Sequence, residues 1–186
     1  PYYLRRDHGA PCPSVMTIHN IAFHGAAPAD RLHRLGIRAE DFNRDGLEFW
    51  GRINLLKAGL IYADKITTVS PTYAAELARP DFGMGLDGVI RARSADFVGI
   101  LNGIDLDIWN PADDPALVRP YQRPAGKSDS KRSLRAAFDL PDAEGPLCVV
   151  VSRLTEQKGL DILLDALPAL LDRGGQLAVL GTGDAA

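Results

Sequence analysis

The sequence predicts an α/β fold holding parts of two parallel-sheet domains. Three observations carry that expectation. Strand-like apolar runs alternate with helical patterns between residues 14 and 101, the alternation that builds a parallel sheet flanked by helices. The pattern breaks over residues 109–145, where Trp109–Pro124 is rich in Pro, Asp and Ala, the composition of a connecting segment. A second strand–helix–strand pattern then begins at Leu147. One such unit of about 40 residues cannot bury a full domain core. The expected organisation is therefore the later part of one domain (1–110), a connecting segment with a helix (111–145), and the opening βαβ unit of a second domain (146–186).

The elements follow in order. Ser14–Ile18 is a short strand ending at His19. Residues 20–45 carry Gly25, Gly36 and prolines without a clean period, so they read as a long loop with short helical pieces, a length that is often functional. Trp50, Ile53, Leu56 and Leu60 fall near helical spacing, which predicts an amphipathic helix over 47–63. Lys65–Val69 is a strand. Ser70 then caps the next helix and Pro71 occupies its first position, a favoured pair. Phe97–Leu101 is a strand ending at Asn102-Gly103. Beyond the break, Ser130–Leu140 reads as a helix with Leu134, Ala137 and Phe138 on one face. Leu147–Ser152 is a strand, expected to be buried. Leu160, Leu163, Leu164, Leu167, Leu170 and Leu171 mark a helix, which Pro168 should bend and Gly174-Gly175 should stop. Gln176–Leu180 is the last strand.

Bulk properties exclude several classes. A hydrophobic content of 46% and a charged content of 24% over 186 residues are those of a globular protein. A net charge of −3 supplies no basic field for nucleic acid. No apolar run approaches the roughly 20 residues that span a bilayer, so no membrane partner is expected, and no signal peptide is evident. Cys12 and Cys148 make no disulfide framework, which fits a cytoplasmic protein. Cys148 is expected inside a buried strand. The histidines and cysteines lack zinc-ligand spacing, so neither metal nor cofactor is expected. Oligomeric state is left open.

Val149–Gly159 is the richest stretch. An apolar β-branched run ends abruptly, Arg153 follows, and Lys158 precedes a glycine that opens a helical pattern. Ligands of open α/β sheets bind outside the carboxyl ends of strands. Two cations beside a helix N-terminus there suit a phosphate or diphosphate. On spacing alone, such a pair is more often a solvated surface. His19 and Asn102 each follow a strand end too, where a plain loop histidine and a plain Asn-Gly turn are the ordinary readings. Lys57 and Tyr62 read as solvation and packing, and Gly181-Thr182-Gly183 as a turn too short to claim a phosphate cradle.

The wording of four collinear segments adds to this. Ser152-Arg153-Leu154-Thr155-Glu156-Gln157-Lys158-Gly159, Thr17-Ile18-His19-Asn20, Lys57–Asp64 followed by Thr68–Tyr73, and Leu101-Asn102-Gly103-Ile104-Asp105 together resemble bacterial glycogen synthases and plant starch synthases. The resemblance covers nearly the whole chain. It implies a retaining glycosyltransferase of GT-B architecture, with two Rossmann-like domains and a hinge between them, and an internal segment of the longer protein. It also implies an ADP-glucose donor and an α-1,4-glucan acceptor; the residues themselves do not separate ADP from UDP. By the same resemblance Arg153 and Lys158 hold the donor diphosphate, His19 lies against the donor sugar, and Asn102 lies near it. Similar synthases also carry a Lys-x-Gly-Gly loop and a Glu-Pro-Cys-Gly-Leu-type segment. Neither is in this sequence, so the isolated chain is expected to be inactive. Another retaining GT-B transferase, such as a sucrose synthase-like enzyme, and a non-catalytic glucan- or nucleotide-binding module are the alternatives.

Overall fold

A computed structural model describes residues 1–9 and 11–183. It divides into two compact units, Pro1–Gly103 and Ile104–Ala186.

Unit 1 runs α1 (Tyr2–Asp7), β1 (Val15–Ile18), β2 (Ala26–Pro28), β3 (Glu48–Phe49), β4 (Arg52–Asn54), α2 (Leu55–Tyr62), β5 (Lys65–Thr68), α3 (Pro71–Leu77), α4 (Asp87–Ala92) and β6 (Phe97–Gly99). Its main sheet is parallel, in the order β1-β5-β6. Ile18 and Ile66 of that sheet pack with Leu60, Leu77, Leu86 and Ile90 from the helical side. Gly59 lets α2 press against β1, because a Cβ there would lie 2.9 Å from the Met16 sulfur. The guanidinium of Arg93 closes α2, donating to the carbonyls of Leu60 (2.7 Å), Ile61 (3.0 Å) and Ala63 (2.7 Å). These carbonyls would otherwise lack intrahelical donors. Ser70 caps α3 as expected, accepting from the Tyr73 N–H at 2.9 Å.

The helix expected over 47–63 is shorter than that. Its first half is a hairpin, β3 and β4, joined to β2 in a small antiparallel sheet of order β2-β4-β3. Two local features set the change. Trp50 and Gly51 have φ of 51° and 74°, which no right-handed helix contains. Asn54 accepts from the Lys57 N–H at 2.8 Å, an N-cap that starts the helix at Leu55. The strand expected over 97–101 also ends early, at Gly99. A Cβ on Gly99 would lie 2.0 Å from the Ser70 carbonyl oxygen, so only glycine lets β6 approach the turn into α3.

Unit 2 opens with turns. Asp105 accepts from the N–H groups of Asp107 and Ile108, Asn110 from Ala112 and Asp114 from Ala116. These side chains offer the backbone local bonds in place of helix or strand. Then follow α5 (Ser128–Ala137), β7 (Leu147–Val151), α6 (Leu160–Asp172) and β8 (Gln176–Leu180). The buried residue of α5 is Arg135, not the expected apolar face; Ala137 and Phe138 are exposed. Arg135 donates to the Gln176 side chain at 2.6 Å, and Gln176 donates to the Pro141 carbonyl at 2.7 Å, tying α5 to the start of β8. Strands β7 and β8 pair in parallel. Among the described residues they form a two-stranded sheet, so β7 is not enclosed. Cys148 is exposed rather than buried.

Helix α6 runs through Pro168 unbroken, with Leu160, Leu163, Leu167 and Leu170 half-buried and Leu164 and Leu171 exposed. It stops at Gly174, whose φ is 71°. The N–H groups of Gly174 and Gly175 donate to Leu171 and Leu170 at 2.8 and 2.9 Å, a Schellman stop. No helix among the described residues is long and apolar enough to cross a membrane.

Candidate functional site

Arg153 stands just past the carboxyl end of β7. There the chain stays zipped to the segment after β8: Ser152 N–H donates to the Leu180 carbonyl at 3.2 Å and Leu154 N–H to the Thr182 carbonyl at 2.8 Å. This close pairing explains Gly181-Thr182-Gly183. A Cβ on Gly181 would meet the Ser152 carbonyl oxygen at 2.0 Å, and one on Gly183 the Leu154 carbonyl oxygen at 2.3 Å. The glycines hold the Arg153 loop in place through backbone contact, a role the sequence pattern alone did not reveal.

After Arg153 a single 3₁₀ turn, Glu156–Lys158, delivers Lys158 to the start of α6. Gly159 makes the corner with φ 66°. It is also the N-cap of α6, and no side chain caps it. The first N–H groups of α6 and its positive dipole end are thus open to a ligand. Arg153 and Lys158 are both exposed. Among the described residues neither side chain makes a hydrogen bond or an ion pair, so two unpaired cations flank one helix start, with Glu156 in the 3₁₀ turn and Asp161 in the first turn of α6 as the acids beside them.

His19 and Asn102 lie at the carboxyl edge of the other parallel sheet. His19 follows β1 directly and Asn102 comes three residues after β6; both are exposed. Strand β5 lies between their strands, so the strand axes are about 10 Å apart, two spacings of about 4.8 Å. The edge is well fixed. Thr68 Oγ1 donates to the Ile18 carbonyl at 2.8 Å, Tyr73 accepts from the Ile21 N–H at 3.1 Å, and Ile100 N–H donates to the Thr68 carbonyl at 2.7 Å. The four candidate residues therefore form two pairs: His19 with Asn102 on unit 1, and Arg153 with Lys158 on unit 2.

Besides Arg135, two charged groups of unit 1 are buried, Lys57 and Asp41. Lys57 is 5% exposed rather than solvated. Its ammonium donates to the carbonyls of Arg44 (2.6 Å) and Glu48 (2.7 Å). Burial pushes its pKa down, and nearby Glu48 and Asp45 offset part of that. Asp41 is 2% exposed and accepts from Tyr2 (2.8 Å), Tyr62 (3.1 Å) and Arg6. Burial alone would raise the Asp41 carboxyl, but those hydrogen bonds outweigh it and hold the pKa below its ordinary value. Tyr62 thus packs as expected and also carries a hydrogen bond. The sequence signals for Lys57 were its place beside Leu56 and Leu60 on a helix and in the Lys57–Asp64 segment.

Comparison with known proteins points to one family. Residues 1–92 match the family model described as the starch synthase catalytic domain. The glycogen synthase of Paracoccus denitrificans (strain Pd 1222) is 58% identical over 184 residues, covering 99% of this chain and 38% of that protein. That of Jannaschia sp. (strain CCS1) is 56% identical, covering 98% of this chain and 38% of its own length. The chain therefore spans well under half the length of these relatives. Among solved structures, the catalytic domain of Starch Synthase IV from Arabidopsis thaliana, bound to ADP and acarbose, matches with a TM-score of 0.87 and 35% identity, over 98% of this chain and 40% of that one.

Proposed function

Since the chain belongs to the glycogen and starch synthase family, we propose that it carries donor-handling residues of a retaining GT-B transferase. The whole protein moves glucose from ADP-glucose to the non-reducing 4-OH of an α-1,4-glucan. The observation that carries this reading is the pair of exposed cations, Arg153 and Lys158, in no ion pair among the described residues, at the start of α6.

Glycosyl transfer breaks the bond between the anomeric carbon and a diphosphate oxygen. The diphosphate leaves with the electron pair, and the sugar carbon gains positive character. Arg153 meets the growing negative charge with a planar fork that can span two phosphate oxygens, and Lys158 adds a compact point charge. The open N–H groups of α6 point a fixed dipole at the same place. Groups aimed at charge that develops only in the transition state lower the barrier without reorganising. His19 and Asn102 act on the sugar side, orienting hydroxyls of the transferred glucose. The acceptor 4-OH oxygen bonds the anomeric carbon on the face the diphosphate leaves, its proton passes to the departing diphosphate oxygen, and configuration is retained. The two exposed free cysteines, Cys12 and Cys148, suit a reducing, cytoplasmic setting.

The test is calorimetric titration of the chain with ADP. Binding is expected, and Arg153→Ala and Lys158→Ala should each weaken it about 10-fold, the scale of one charge-assisted hydrogen bond. Equal affinity in both variants would remove the basis for the assignment.

A further inference from the structure

His19 is exposed, yet it stands between two buried isoleucines, Ile18 and Ile21. The backbone is held on both sides of it. Before it, the Ile18 carbonyl accepts from Thr68 Oγ1 at 2.8 Å. After it, the Ile21 N–H donates to the Tyr73 hydroxyl oxygen at 3.1 Å. Between these points the Asn20 side chain accepts from the Ala22 N–H at 2.9 Å, an Asx turn that folds the chain back as soon as β1 ends. His19 and Asn20 are therefore the crest of a short arch. Both feet of the arch rest on side chains of one segment, Thr68–Tyr73.

That segment is fixed in its own right. Thr68 ends β5 and is 1% exposed. Its carbonyl accepts from the Ile100 N–H at 2.7 Å, which ties it to the chain leaving β6. Ser70 caps α3 through the Tyr73 N–H. Tyr73 and Leu77 lie four residues apart, on one face of α3. Leu77 is in the core with Ile18 and Ile21, and the Tyr73 ring packs against the same cluster. The ring is anchored, so its hydroxyl is a fixed point rather than one that follows the loop. A phenyl ring at 73 and a valine at 68 would fill nearly the same space. What the two hydroxyls add is a hydrogen bond to each peptide group that flanks His19.

We propose that Tyr73 and Thr68 are positioning residues for His19. The proposal rests on the reading of His19 as a group on the sugar side of glucosyl transfer. Both hydroxyls are engaged with backbone rather than with the sugar. One holds a carbonyl and the other an N–H, and together they stop the arch from shifting or pivoting. The need for such a mount is large, because a misplacement of about 1 Å can cost about 100-fold in rate.

The test uses a hybrid in which this chain replaces the aligned 38% of the Paracoccus denitrificans glycogen synthase, assayed with ADP-glucose and glycogen. His19→Ala should lower kcat about 100-fold, the scale of a lost transition-state contact. Tyr73→Phe should lower kcat about 10-fold with little change in the KM for ADP-glucose, the pattern of an interaction made only in the transition state. In the His19→Ala background, Tyr73→Phe should have no further effect, because the group it positions is gone; residues that act together show this non-additivity. A Tyr73 that served the fold alone would cost the same factor in both backgrounds. Thr68→Val should repeat the pattern, and Thr68→Ser, which keeps the hydroxyl, should hold kcat near the parent value. Rates are compared at a temperature where melts show each variant folded; should Thr68→Val not fold, Tyr73→Phe and its double variant decide. Equal losses in both backgrounds, or parent-like kcat in Tyr73→Phe, overturn the proposal and leave the reading of His19 standing. Parent-like kcat in His19→Ala overturns that reading and the proposal with it.

Discussion

Gly181→Ala would drive a methyl group into the backbone that carries Arg153. The added Cβ would sit 2.0 Å from the Ser152 carbonyl oxygen. Close carbon–oxygen contacts lie near 3.3 Å, so the two segments must part by about 1.3 Å. The hydrogen bonds that join them there, Ser152 to Leu180 at 3.2 Å and Leu154 to Thr182 at 2.8 Å, cannot survive that opening. At about 1 kcal/mol net for each bond, the loss is roughly 2 kcal/mol of stability. Arg153 would move by a similar distance, so on the proposed donor site its fork would no longer reach the diphosphate. The assay is a urea melt paired with ADP titration, at a urea concentration where both proteins are folded. A lower midpoint and ADP binding weakened about 10-fold are expected. Unchanged ADP affinity in the folded variant would refute the argument that these glycines position Arg153.

Two further expectations concern unit 1. Asp41→Asn removes the acceptor shared by Tyr2, Tyr62 and Arg6 and should cost about 1–2 kcal/mol near neutral pH, read from chemical denaturation. Because the folded Asp41 pKa is depressed, its contribution is fully present above the unfolded carboxyl value of about 3.9 and is lost as pH falls through the lower folded value. The stability gap between parent and variant should therefore narrow in acid; a gap constant with pH would contradict that. Arg93→Ala strips donors from the carbonyls of Leu60, Ile61 and Ala63 and should lower stability by roughly 2 kcal/mol. An unchanged melt would show that water replaces the guanidinium.

Elements with local, short-range causes were legible in the sequence. Ser70-Pro71 starts α3 through a cap three residues long, and Gly174-Gly175 ends α6 through bonds to Leu170 and Leu171. The β7 and β8 strands were marked by continuous apolar runs. The Trp50 hairpin was hidden because Trp50, Ile53 and Leu56 fit a helical period, while the decisive fact is a backbone angle at Trp50 that no period encodes. The buried ions were hidden for another reason. Asp41 is satisfied by Tyr2, Arg6 and Tyr62, which lie 39, 35 and 21 residues away, and Arg135 by Gln176, 41 residues on. Exposure of Cys148 follows from the small size of its sheet, which the strand's own composition does not report. The candidate site residues were nominated by position at strand ends and by wording. What sequence could not supply was the glycine contact behind Arg153 and the bare start of α6.

The central claim is that Arg153 and Lys158 serve glucosyl transfer from ADP-glucose. It is tested most directly in a hybrid in which this chain replaces the aligned 38% of the Paracoccus denitrificans glycogen synthase. The hybrid is expected to incorporate labelled glucose from ADP-glucose into glycogen, while the 186-residue chain alone does not. Arg153→Ala and Lys158→Ala in the hybrid should each lower kcat by about 100-fold or more, as removal of a transition-state donor does. Near-normal turnover in both variants would contradict the claim.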